Sequence, residues 1–160
     1  MSKELEIRKI VLSLKPQTGN FQSDCFISYF LLFNRGEYFH AHDVLEHVWL
    51  QQTGIKARFF KGLIQYAGAF VHLQKNFYFP NHRVHSRRIY PASRLFRLAK
   101  ENLSVYPTNY FGVNVSETLK TCELYDQQIR EKSFQQNPWN PKRMPWIEPP
   151  RAEDFSQLID

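Results

Sequence analysis

The chain has 160 residues, 42% of them hydrophobic and 16% aromatic, and a formal net charge of +6. That length and apolar content fit one domain with a real core and exclude a disordered chain. Two widely separated cysteines, Cys25 and Cys122, argue against a disulfide framework or a cysteine zinc site. The N-terminus is charged from Lys3, which excludes the long apolar core of a signal peptide. No apolar run approaches the ~20 residues needed to cross a bilayer, so a cytoplasmic protein without membrane association is expected.

In chain order, a short mixed segment ends in the turn cluster Lys15-Pro16-Gln17-Thr18-Gly19-Asn20. Ser23 and Asp24 are placed to cap a helix from Cys25, apolar nearly all round and therefore buried, with Gly36 placed to end it. A second helix opens at Glu37 and Tyr38 and runs to about Gln52, with Phe39, Val44, Leu45, Val48 and Trp49 as its apolar positions. Thr53 and Gly54 break the chain before a third helix from Ala57 to Lys75. Gly62 and Gly68 inside it each cost about 1 kcal/mol relative to alanine, which implies a close approach by a neighbouring helix or a ligand, helix–helix contact being the preferred reading.

Asn76 to His82 reads as an aromatic loop. Pro91 fits the first turn of a fourth helix over 91–103, the alternative being a kinked helix that begins near Arg83; its stripe is formed by Ala92, Leu95, Phe96, Ala99 and Leu103. A loop through Gly112 leads to a fifth helix, from Ser116 to about Phe134, with Leu119, Cys122, Leu124, Tyr125 and Ile129 as candidate contacts. Five prolines after Asn137 exclude regular helix until Arg151. The expected organisation is all-α: a bundle of about five helices over 1–136 and a proline-rich strap over 137–160, held down by Trp139, Trp146 and Ile147.

The charge is uneven. Residues 51–100 hold ten Lys and Arg and no Asp or Glu, whereas the rest of the chain holds 11 basic and 15 acidic residues. Such a one-signed region attracts anionic partners: a phosphate, nucleic acid or an acidic protein surface. A solvated helix face has the same composition.

Polar residues in the second and third helices form the one constellation with chemical character. His42, Glu46 and Trp49 share a face at spacings of four and three, and Gly62, Gln65, Ala69, His72 and Asn76 follow the same rhythm. Antiparallel pairing brings His42, Glu46, Gln65 and His72 into one seam. His42, Glu46 and His72 then suit a divalent metal ion with open positions for water or substrate. Without metal, Glu46 orients His42 for acid/base catalysis. Gln65 and Trp49 are candidate ligand contacts, and Arg88 is placed to hold an anionic group. A purely architectural seam, with His and Glu satisfying one another, fits the same residues. The spacing differs from the HExxH zinc signature.

The two-part motif FNRGEYFHAHDVLEHVW and FKGLIQYAGAFVHLQKN resembles the domain-of-unknown-function family numbered 309. The family pattern FNxGxYxxAHxxLExxW is matched at Phe33, Asn34, Gly36, Tyr38, Ala41, His42, Leu45, Glu46 and Trp49. Gly62, Leu63, Ile64, Gln65, His72 and Asn76 match the part that follows. The resemblance covers about residues 25–125 and implies a small all-α protein whose HxxxExxW core, here His42, Glu46 and Trp49, is the functional centre. It implies no particular reaction. The chain departs from the pattern at Asp43, usually glutamate, and at Tyr90-Pro91-Ala92-Ser93, which replaces a Gly-Ala helix opening.

Three functions remain open: a binding protein for a metal or a small anionic ligand, a metal-dependent hydrolase-like enzyme, and an interaction module for nucleic acid or an acidic protein. The aromatic content is compatible with a homodimer.

Overall fold

The computed structural model describes residues 2–155; the last five residues of the expected strap lie outside this range. Six α-helices occur among the described residues: α1 (Lys3–Leu14), α2 (Phe21–Asn34), α3 (Tyr38–Trp49), α4 (Gly54–Tyr78), α5 (Ile89–Leu103) and α6 (Val115–Glu131). A two-stranded antiparallel hairpin, β1 (Asn109–Tyr110) and β2 (Val113–Asn114), precedes α6. The all-α class expected from the sequence holds, with six helices instead of five.

The additional helix is α1. Only Ile7 and Val11 are buried along it, one turn apart, so its apolar stripe is too thin to stand out in the sequence. Its local signal is the cap: Ser2 accepts the N–H of Leu5. The start of α2 is also earlier than expected. Asn20 accepts the N–H groups of Gln22 and Ser23, while Asp24 instead accepts from the Thr18 backbone and hydroxyl. In the same way Asn114, and not Ser116, caps α6 through the Glu117 N–H.

The long helix α4 is central, packing against both α3 and α5. Its inner face carries Phe60, Leu63, Tyr66, Ala67, Phe70 and Leu73, all buried. Phe70 meets Phe33, Phe96 and Tyr125 edge-on and Tyr38 at a tilt, so rings from five helices join at one point. Gly62 is where α5 closes in: an added Cβ would lie 2.7 Å from the Leu103 side chain. This is the helix–helix approach that the glycine implied.

Helix α4 begins at Gly54 and continues to Tyr78, into the stretch expected to be loop. The extension has a tertiary cause: Trp139 packs on Phe77 and Tyr78, and Asn137 donates to the Leu73 carbonyl and to Asn76 Oδ1. Pro91 falls in the first turn of α5, as expected, where its missing N–H leaves no hydrogen bond unmade.

From Lys132 to Arg151 the chain forms no helix or strand. Trp139 is 1% exposed and donates its indole N–H to the Tyr38 hydroxyl at 3.0 Å. Asn34 and the Ile147 backbone bond each other twice, both at 2.8 Å. Trp146, expected to help hold this segment, is 67% exposed. Leu124 is likewise exposed instead of joining the core. No helix of the described residues is long and apolar enough to cross a membrane.

Candidate functional site

The short connection 50–53 folds α4 back along α3. A cleft of about 230 Å³ opens where these two helices meet α5. Its walls are Phe39 and His42 from α3, Ile64, Gln65, Gly68, Val71 and His72 from α4, and Leu95 from α5. Three of the four seam residues expected from the sequence thus converge on one cavity. Glu46 lies one turn beyond, its Oε2 3.5 Å from His42 Nε2, at the rim. Trp49 packs partly buried against the core and does not line the cleft.

Each polar group at the cleft is held by neighbours. His42 Nδ1 lies 3.1 Å from Asp43 Oδ1, and Asp43 is in turn paired with Lys3 of α1 at 2.8 Å. Asp43 is only 8% exposed, so this carboxylate is a fixed, nearly dry acceptor for the ring N–H. The His42 ring also stacks on Phe39, 6.2 Å between centroids. Phe39 is half-exposed and lies within 6 Å of two ammonium groups, Lys3 and Lys75. Gln65 Oε1 accepts from Asn102 at 2.7 Å, which leaves its amide N–H₂ as the group available for a ligand.

Arg88 reaches the cleft wall through His72. Its guanidinium is 2.9 Å from His72 Nδ1 and donates to His85 Nδ1 at 2.7 Å. Arginine has only donors, so Nδ1 of His72 accepts and its proton sits on Nε2. Burial, then the charges of Arg88 and Lys75, bring the His72 pKa down from 6.5 to about 4. No carboxylate lies within ion-pair distance of Arg88 among the described residues. Its positive charge is met by two neutral imidazoles.

The metal set expected from the sequence is His42, Glu46 and His72. No group of three His, Cys, Asp or Glu side chains spaced for a metal ion occurs among the described residues. His42 and Glu46 are neighbours, but His72 turns Nδ1 to a guanidinium, whose charge opposes a second cation. Asp43, Lys3 and Asn102 are the site residues that sequence reasoning misses. Asp43 follows His42 directly, a spacing at which helical side chains do not normally face each other. Lys3 and Asn102 are remote in sequence, and no local pattern points to them.

Residues 26–78 match the family model described as Domain of unknown function (DUF309). The resemblance read from the motif is thereby supported over that segment, which runs from α2 to the end of α4. It contributes every cleft residue except Leu95. No curated protein and no solved structure matches the chain. Several residues of this segment serve the frame and not the cleft. Gly36 has φ +78° at the α2–α3 turn, and its carbonyl accepts from Gln74 at 2.8 Å. Asn34 and Tyr38 hold the C-terminal segment.

Proposed function

We propose that the cleft between α3, α4 and α5 binds a small organic molecule with an apolar body and an anionic head. The observation that carries this reading is Arg88, a half-buried guanidinium behind the cleft residue His72 with no carboxylate partner among the described residues. Ile64, Val71, Leu95 and Phe39 suit the body of such a molecule. The Nε2–H of His72 and the amide of Gln65 suit its head, and a small apolar cavity with a few convergent polar groups is the usual form of a ligand site.

A metal-dependent site has less support, because His42 and Glu46 alone offer two ligands. The His42–Asp43 pair has the layout of an oriented base, but no nucleophile lines the cleft beside it, so binding is the reading preferred over turnover. The test is a thermal-shift screen with small aliphatic and aromatic carboxylates and phosphates, on the wild type and on Arg88→Ala and Leu95→Trp. At least one compound is expected to raise the melting temperature of the wild type, with the shift lost in both variants. A ligand at a hundred times its Kd adds about 2.7 kcal/mol, readily detected. Shifts of equal size in all three proteins, or none in the wild type, would sink the proposal.

A further inference from the structure

Beyond the cleft, the turn that joins α4 to α5 carries an exposed stack of planar rings. His82 and His85 stack 4.3 Å apart at 24°, and Phe79 lies 5.6 Å from His85 at a 46° tilt. The stack is fixed in place by hydrogen bonds. His82 Nδ1 accepts the backbone N–H groups of Val84 and His85 at 3.0 and 3.2 Å. His85 Nδ1 accepts from Arg88. Both imidazoles therefore use Nδ1 as an acceptor and are held in a fixed orientation. Phe79 is 54% exposed, and His82 is exposed.

The charge around this stack is of one sign. Arg83 and Arg87 are exposed and have no carboxylate within ion-pair distance among the described residues. No Asp or Glu occurs from 76 to 100. A lone basic face would be ordinary surface, and exposed rings alone would be a weak apolar patch. Ordered rings with guanidinium groups beside them are the combination that single-stranded nucleic acids need: π-faces for bases, cations for phosphates.

We infer that the 79–88 turn is a binding platform for single-stranded nucleic acid, in which an unstacked base packs on the exposed Phe79 ring beside the stacked His82 and His85 while Arg83 and Arg87 meet the adjacent phosphates. The recognition is by stacking and charge and has no base-edge component, so sequence preference is expected to be weak. Apart from Arg88, which bonds both His85 and His72 and which the test leaves unchanged, the platform shares no side chain with the cleft site.

The test is fluorescence anisotropy with a dye-tagged oligouridylate, read against salt concentration, with anionic phosphatidylserine vesicles as competitor. Phe79→Ala is expected to weaken binding by about fivefold or more, with the salt slope unchanged, and Phe79→Trp to restore it. Arg83→Ala with Arg87→Ala is expected to reduce the salt slope by about 0.7 for each phosphate that is no longer neutralised. Melting curves of the variants check folding, and all three positions are exposed. No binding by the wild type overturns the inference. Binding indifferent to Phe79→Ala overturns it in favour of plain charge attraction. Displacement by the vesicles at equal anionic charge overturns it in favour of a membrane surface.

Discussion

Burial and charge act in the same direction at His72. Its ring is partly dry, Arg88 donates to it, and Lys75 lies near; His85 stands behind Arg88 and His42 faces the same cleft. Each of the first three opposes protonation, so the pKa falls from 6.5 to about 4. The unfolded chain then takes up a proton in a range where the folded chain does not. The stability tied to this position is complete above pH 6.5 and is lost as the pH falls toward 4. His72→Gln keeps a polar group but cannot titrate. Its melting temperature is expected to fall less steeply than that of the wild type between pH 6.5 and 4. Identical slopes in calorimetric melts of the two proteins would show that the ring is not the titrating group.

At the scale of elements, the α4 C-terminal turn depends on a segment far away in sequence. Trp139 meets Phe77, Tyr78 and Tyr38, and Asn137 bonds to Leu73 and Asn76. Trp139→Ala is expected to cost about 3–5 kcal/mol, since it empties a fully packed indole site. Trp139→Phe should cost about 1 kcal/mol, chiefly the hydrogen bond to Tyr38. The alanine variant should remove amide-exchange protection from residues 76–79 before the rest of α4. Uniform loss along α4 would mean that the turn stands without the tail.

The same packing explains what is legible in the sequence. Helices α2 to α6 are readable because each carries a continuous apolar face. Their ends are less so, because Asn20, Asn114 and Trp139 decide them and periodicity carries no trace of a cap or a remote indole. In the site, His42, Gln65 and His72 are readable from spacing on two paired helices. Asp43, Lys3 and Asn102 are not, since their roles arise from contacts between elements. Spacing likewise places His72 beside the seam, but only tertiary packing brings Arg88 onto its Nδ1.

At the scale of the whole molecule, Cys25 of α2 and Cys122 of α6 probe the core from two sides. Both are buried and free, and burial pushes both thiols up to about 12. A thiol of that kind is protonated near neutral pH and out of reach, so it reacts only after the structure opens. The shared ring cluster around Phe70 ties α2, α3, α4, α5 and α6 together, so opening one side should open the other. Single-cysteine variants, Cys25→Ala and Cys122→Ala, allow each thiol to be followed alone with a chromogenic disulfide reagent. Neither is expected to react in native buffer. In rising urea, both should become reactive at the midpoint at which far-ultraviolet circular dichroism is lost, once each curve is referred to its own variant. Reaction of Cys25 at clearly lower urea than Cys122 would mean that α2 leaves the bundle as a separate unit. The α3–α4 cleft, whose first wall packs on α2, would then be formed only conditionally.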